Sequence, residues 1–280
     1  MGADIAGLLR SHALGLKTDW GQHFLTDPTV IRDLLKAGDV QPGDHILEIG
    51  AGIGVLTKAL LQIGARVTAI EVDKRWAPLM EEYLAEIPSP PQGGQGTGGG
   101  IPGLRLILGN ALKVPFPDGP YKIVANIPYL ISGKLLRTTL LHRNRPRSIT
   151  ILVQREVAEK VCDPEKGGML SILVKLFGDP RVVRRVPPGA FLPPPKVESA
   201  ILHIDCLPTP RADAKTADRV LELASHAFSK KRKMLRASLG KFHGAVERLS
   251  ALGIAPERRP ETLSIEEWIA VAKAWGKDEH

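Results

Sequence analysis

The sequence predicts an α/β protein: a doubly wound, parallel, Rossmann-like sheet followed by a small C-terminal all-helical domain. Three observations carry that prediction. Strand-like and helix-like segments alternate to about residue 160, as in consecutive βαβ units. A glycine-rich turn, Gly50-Ala51-Gly52-Ile53-Gly54, follows a short apolar strand and opens a helix. Beyond Leu207-Pro208-Thr209-Pro210 the apolar spacing turns helical, with Val220, Leu223, Ala224, Ala227 and Phe228 on one face. The expected domains are therefore 1–205 and 206–280, with no internal repeat.

Taken in order, Thr26-Asp27-Pro28 starts the first helix, with Asp27 as N-cap and Pro28 at a position where its missing N–H is not needed. Val30, Ile31, Leu34 and Leu35 form its apolar stripe. Pro42-Gly43-Asp44 turns into a strand over Ile46–Ile49, and the helix after the glycine turn carries Val55, Leu56, Ala59 and Leu60. A strand over Arg66–Val72 ends in Glu71-Val72-Asp73, and a helix runs through Trp76, Leu79, Met80 and Tyr83. Residues 88–103, rich in proline and glycine, read as a loop inserted between a helix and a strand. Strands resume at Arg105–Leu108 and Tyr121–Ala125. A helix after Ser132, a strand over Ile149–Val153 and a helix over Arg155–Val161 follow. Ser171–Phe177 and Ser199–Ile204 are expected as two further strands, joined through the rigid, proline-rich Val186–Pro195. Ser264 and Glu267 form a capping box for the last helix.

At 280 residues the chain can hold one large core and a small second domain. No apolar run approaches the ~20 residues of a membrane span. Met1–Leu16 lacks an apolar segment with a cleavage site, so a cytoplasmic protein is expected. Cys162 and Cys206 form neither a disulfide framework nor a Cys-x-x-Cys metal signature, and no metal is expected. The formal net charge of +8 fits a polyanionic partner. Lys230, Lys231, Arg232, Lys233, Arg236 and Lys241 share one acid-free stretch. Arg137, Arg143, Arg145 and Arg147 make a second cluster, and Arg181, Arg184 and Arg185 a third. Any one cluster is an ordinary solvated surface; together they sketch a path for phosphates.

The stretch Asn126-Ile127-Pro128-Tyr129 ends the apolar strand Ile123-Val124-Ala125. Strand-end Asn and Pro are common turn residues, yet these four positions also suit methylation of an exocyclic base amine. Such an amine is a poor nucleophile because its lone pair is delocalised into the ring. The Asn126 side-chain carbonyl and the Ile127 backbone carbonyl can accept its two N–H groups and favour a more tetrahedral nitrogen. Pro128 fixes the turn and biases Ile127 to an extended conformation. Tyr129 offers a flat face for a base taken out of its stack.

The glycine turn separates two classes of cofactor. A dinucleotide fingerprint, Gly-x-Gly-x-x-Gly, would place its third glycine at position 55, where Val55 stands; here it falls at Gly54. Glu48 precedes the turn in Glu48-x-Gly50-x-Gly52-x-Gly54, a pattern that resembles the first motif of class I methyltransferases. Their donor carries a cationic sulfonium and ammonium and no pyrophosphate, so an acid beside the turn is apt. Glu71 is placed to accept both ribose hydroxyls, a role that a nicotinamide enzyme would share. Asn110, after the third strand, is placed to hydrogen-bond an adenine amine.

Taken with Gly21-Gln22-His23-Phe24-Leu25, Gln154-Arg155-Glu156-Val157-Ala158, Phe191-Leu192-Pro193-Pro194-Pro195-Lys196-Val197-Glu198-Ser199 and Phe228-Ser229-Lys230-Lys231-Arg232-Lys233, these motifs make the chain resemble, over most of its length, the small-subunit ribosomal RNA adenine N6-dimethyltransferases. The resemblance implies a class I methyltransferase sheet with S-adenosylmethionine as methyl donor. His23 and Leu25 would close over it, and Gly50, Gly52, Gly54, Glu71, Asn110 and Asn126 would complete its pocket. It implies two adjacent adenosines in a hairpin loop near the 3′ end of 16S ribosomal RNA as targets, within the small subunit or its precursor. Lys230, Lys231, Arg232, Lys233 and Arg236 would track the RNA backbone, and a monomer is expected. Phe191 offers either a second wall of the base pocket or core packing. Asn110 departs from the family, which more often has Asp there; it can accept through its carbonyl but brings no charge. The rival readings are a large-subunit adenine methyltransferase of the macrolide-resistance type and a non-catalytic RNA-binding assembly factor. A dinucleotide oxidoreductase ranks third.

Overall fold

The computed structural model describes Gly7 and residues 22–85, 101–163, 167–230 and 232–275. The readings made for Met1–Leu16, for most of the 88–103 loop and for Lys231 lie outside the described residues. The elements run β1 (Phe24–Leu25), α1 (Pro28–Ala37), β2 (His45–Ile49), α2 (Val55–Ile63), β3 (Arg66–Glu71), α3 (Trp76–Leu84), β4 (Leu104–Leu108) and β5 (Lys122–Asn126). They continue with α4 (Ser132–Leu140), β6 (Ser148–Gln154), α5 (Arg155–Cys162), α6 (Met169–Phe177), β7 (Gly178–Val186), β8 (Phe191–Leu192) and β9 (Ser199–Cys206). The last are α7 (Ala214–Ser229), α8 (Leu235–Ser238), α9 (Ala245–Ala251) and α10 (Ile265–Trp275).

Seven strands form one sheet in the order β4-β3-β2-β5-β6-β9-β7, while β1 pairs antiparallel with β8. Strands β2 to β6 are mutually parallel, and β9 runs antiparallel to β6. The chain steps outward from β2 through β3 to β4, then returns to lay β5 on the opposite side of β2, with Ile46 beside Lys122 and Leu47 beside Ile123. Connections leaving β2 and β5 in opposite directions open a crevice beyond their carboxyl ends, the switch point at which open α/β sheets bind ligands. The central strands are apolar runs rather than alternating ones, since helices cover both faces: Ile123, Val124 and Ala125 are all buried.

The first helix begins as its sequence requires. Asp27 Oδ1 accepts the Thr29 N–H at 2.7 Å, and Pro28 occupies the first turn. Val30 and Leu34 then enter a core shared with Leu152, Val186 and Ile201. The chain divides into two compact units. One comprises the described residues of Met1–Ala158 with Arg181–Cys206, the other those of Glu159–Pro180 with Leu207–His280. In the second unit α7 packs on α10 and α6, around the buried Trp268 and Trp275. The capping box opens α10: Glu267 accepts the Ser264 N–H at 2.8 Å, and Ser264 Oγ accepts the Glu267 N–H at 3.2 Å.

The secondary structure departs from expectation chiefly between residues 171 and 192. Ser171–Phe177 is not a strand but lies within helix α6, and residues 159–180 group with the helical unit instead of the sheet unit. Periodicity could not decide it: Met-Leu-Ser-Ile-Leu-Val-Lys-Leu-Phe is apolar nearly all round, and a helix buried on most sides reads like a buried strand. The strand the sheet uses is the next segment, β7, disguised by Gly178, Pro180 and three arginines. It sits at the edge of the sheet, where proline is tolerated. The proline-rich connection also holds more structure than expected, a 3-10 turn at Pro188–Ala190 followed by β8. Two arginines of the third basic cluster are committed to ion pairs, Arg181 with Asp205 and Arg184 with Asp33.

Removing the cap of α1 tests how firmly that helix entrance is fixed. Asp27→Ala is expected to lower unfolding free energy by ~1 kcal/mol, read as a lower urea midpoint with an unchanged slope.

Candidate active site

The crevice between β2 and β5 is a cavity of about 340 Å³, within the range of small-molecule sites. The glycine turn forms one side and Asn126–Ile131 the other. Gly50 has φ +76°, and a Cβ there would lie 3.1 Å from Pro128 Cδ. Gly52 has φ +58°, and its Cβ would lie 2.6 Å from a ring carbon of Phe24. No other residue lets the turn approach both neighbours so closely. Gly54, also at positive φ, forms the N-terminal boundary of α2.

Asn126 is oriented by a single bond. Its Nδ2 donates to the His23 carbonyl at 2.9 Å, and because a carbonyl only accepts, Oδ1 must face the other way. Neither Oδ1 nor the Ile127 carbonyl takes a hydrogen bond from another described residue, and both residues line the cavity. His23 is held in turn: Nδ1 lies 2.8 Å from the Pro193 carbonyl and must carry the proton there. The Tyr129 ring stands 6.3 Å from the His23 ring, tilted 23°, and its hydroxyl bonds Ser199 Oγ at 2.5 Å. Burial raises the Tyr129 pKa, opposed by the Ser199 bond, so the phenol stays neutral. A neutral ring pinned at its hydroxyl is a platform for stacking.

At the opposite wall Glu71 is buried, with Oε2 accepting the Gly52 N–H at 2.8 Å and Oε1 the Asp73 N–H at 2.9 Å. Each oxygen keeps a second lone pair, so the carboxylate can still accept two hydroxyls. Burial raises its pKa. Glu48 is 2% exposed and accepts the Thr57 hydroxyl at 2.6 Å. Burial, reinforced by the charge of Glu71, pushes its pKa up to about 8. Asp73 behaves oppositely, its carboxyl held far below the usual range by Arg75 and Gln22.

The structure brings together in this cavity His23, Leu25, Gly50, Gly52, Glu71, Asn110, Asn126, Ile127, Pro128 and Tyr129 from the predicted set. Gly54 is not among them: it packs toward Met80 and Leu84. Nor is Phe191. It is 3% exposed within the core beside Val30 and Leu34, its register in β8 fixed by pairing with Leu25, so core packing is the correct one of its two readings. Asn110 lies at the cavity with its oxygen already accepting the Leu112 N–H at 2.9 Å, which leaves its NH₂ without a partner among the described residues. In the second unit, Lys230, Arg232 and Lys233 line a cleft of about 280 Å³ with Lys160, while Arg236 lies 3.8 Å from Glu257. Sequence reasoning missed Thr57 and Ser199, which orient Glu48 and Tyr129. A hydroxyl three residues past Gly54 carried a faint signal, and Ser199 carried none before its pairing was seen.

A mostly parallel sheet with this strand order, a glycine turn at the switch point, an acid ending β3 and an Asn-Ile-Pro-Tyr corner following β5 define a class I methyltransferase. Residues 13–277 match the family model described as ribosomal RNA adenine dimethylase, and the chain belongs to that family. "Ribosomal RNA small subunit methyltransferase A" of Novosphingobium aromaticivorans is 38% identical over 276 residues, covering 95% of each chain. The protein of the same name from Syntrophotalea carbinolica is 38% identical over 92% of this chain and 96% of its own. A dimethyladenosine transferase from Plasmodium falciparum superposes with a TM-score of 0.71 at 25% identity, over 89% of this chain and 96% of its own. The 23S rRNA methyltransferase ErmE shares the fold, with a TM-score of 0.73 at 23% identity over 91% of this chain and 100% of its own.

Glu48 generates a pH prediction. Its pKa rises from 4.5 to about 8 on folding, so its contribution to stability is complete below 4.5 and is lost as pH climbs through about 8. A sulfonium ligand bound in this cavity would favour the carboxylate and so expel its proton. Binding at pH 7 is expected to release protons and to tighten toward pH 8. Calorimetry in buffers of differing ionisation enthalpy reads the release, and Glu48→Gln is expected to reduce it, leaving the share of Glu71, whose pKa is also raised.

Proposed function

We propose that this protein dimethylates N6 of two adjacent adenosines in a hairpin loop near the 3′ end of 16S ribosomal RNA, with S-adenosylmethionine as methyl donor. It would act as a cytoplasmic monomer on the small subunit or its precursor. The observation that carries the reading is the Asn126 amide, turned by the His23 carbonyl so that its oxygen stands unpaired at the cavity with the Ile127 carbonyl. Two acceptors at that corner match the two N–H groups of a primary amine.

The residues present fit the donor. Glu71 would take the ribose hydroxyls, the Gly50–Gly52 turn leaves room for close approach, and Glu48 and Glu71 supply the negative charge that a cationic ligand needs. S-adenosylmethionine, when bound, supplies a methyl group already activated by its sulfonium. Positioning is then the main task of the protein. Asn126 Oδ1 and the Ile127 carbonyl accept the two N–H groups of the target amine and match the positive charge that develops on nitrogen. Tyr129 supports the extruded base. No residue has to act as a strong base, since the proton leaves from a cationic nitrogen to water. A second methylation requires that the amine, now with one N–H, still reach one acceptor, so space beside Asn126 sets whether the product is mono- or dimethylated. Bases in a loop are already partly unstacked, which lowers the cost of extrusion. Lys230, Lys231, Arg232, Lys233 and Arg236 would follow the RNA backbone, with affinity falling steeply as salt rises.

The names of the curated relatives favour the small subunit over the large one. Mass spectrometry of RNA from purified small and large subunits, after incubation with labelled donor, tests the choice. Label confined to the small-subunit RNA is expected, and label on large-subunit RNA alone would refute it. Asn126→Ala is expected to cut methyl transfer about 10²- to 10³-fold, the scale of losing one preorganised hydrogen-bonding group, with an unchanged fold by circular dichroism. Glu71→Ala is expected to weaken donor binding about tenfold or more, as for hydrogen bonds to a charged group. Calorimetry checks it.

A further inference from the structure

Directly after the stacking platform the chain presents an apolar side chain to solvent. Leu130 is 73% exposed, the most exposed of the large apolar side chains among the described residues, and it lines the same cavity as Asn126 and Tyr129. A lone exposed leucine is ordinary; one at the rim of a base pocket is in a position to act. Its exposure does not come from a slack loop. Tyr129–Ile131 forms a 3-10 turn in which the Ile131 N–H donates to the Pro128 carbonyl at 3.1 Å. The Ser132 hydroxyl donates to the Tyr129 carbonyl at 2.9 Å, fixing the other end. Four residues on, in the first turn of α4, Lys134 is exposed and has no ion pair among the described residues.

We propose that Leu130 is a wedge that enters the RNA base stack as the target adenosine leaves it, with Lys134 neutralising the flanking phosphate. This rests on the RNA methyltransferase reading above. Extruding a base exposes the faces of its two neighbours to water, and an apolar side chain inserted there covers them, a device common where proteins unstack nucleic acid. Tyr129 and Leu130 are consecutive on one rigid turn, so a single element addresses both halves of the event: the ring receives the base, and the leucine fills the place it vacated. Val72, the next most exposed, follows Glu71 at the donor end of the cavity and has no platform beside it.

The test uses small-subunit particles carrying 2-aminopurine in place of one target adenosine, whose fluorescence rises on unstacking. Wild-type protein with adenosylhomocysteine is expected to raise the signal. Leu130→Ala is expected to reduce that rise, and to lower kcat/KM on unsubstituted particles, by about tenfold, the scale of one apolar side chain's burial. Leu130→Met is expected to recover most of both, while donor affinity by calorimetry and Tm stay at wild-type values throughout. An equal fluorescence rise with Leu130→Ala and wild type would overturn the wedge, and so would a loss accompanied by weaker donor binding. Lys134→Ala is expected to weaken particle binding and flatten its salt dependence; an unchanged slope removes Lys134 from the proposal. Failure of the RNA methyltransferase reading is distinguished on the wild type alone, as absence of methyl transfer to small-subunit RNA, and takes the wedge down with it.

Discussion

The site depends on how closely two strand ends approach each other. The turn leaving β2 meets the corner leaving β5 at Gly50 and Pro128, where a Cβ on Gly50 would press against the proline ring at 3.1 Å. That distance brings the glycine-turn wall and the Asn-Ile-Pro-Tyr wall within one cavity. The parallel pairing of β2 and β5 sets it, and the reversal of winding between them keeps it open. Each wall is then stiffened from outside the sheet. Backbone N–H groups of Gly52 and Asp73 fix Glu71, and the His23 carbonyl fixes Asn126.

The two walls differ in charge as well as shape. Glu48 and Glu71 lie on one side, both buried with raised pKa values, so that side holds proton-binding capacity that a cationic ligand would displace. The other side is neutral: an amide, a main-chain carbonyl and a protonated phenol. A carboxylate in place of Asn126 would bind an amine more strongly before reaction, but it would also face the acids across the cavity. A neutral acceptor gains strength only as charge builds on the nitrogen, which is where binding energy accelerates a reaction.

Much of this was legible in the chain. The glycine spacing, Glu71 at the end of β3 and the Asn-Ile-Pro-Tyr corner are local signals, because strand ends and turns are written in consecutive residues. Asp27 and the Ser264–Glu267 box marked their helices for the same reason. The Phe191 reading stayed open because a phenylalanine in a proline-rich connection looks the same whether it lines a pocket or fills a core; only its pairing with Leu25 decides. Ser171–Phe177 misled because burial on nearly every side erases the period that separates helix from strand. Asn110 lines the cavity, but its oxygen is engaged by Leu112, a contact that residue type alone does not reveal.

The pairing of Phe24–Leu25 with Phe191–Leu192, and the bond from His23 to the Pro193 carbonyl, tie the start of the sheet unit to a segment 170 positions later. His23 orients Asn126, and Ser199 holds Tyr129. A nascent chain that has emerged only through Tyr129 therefore carries the whole signature motif without a shaped pocket around it. The protein gains its chemistry late in its own synthesis, once the residues near 199 are free to fold back.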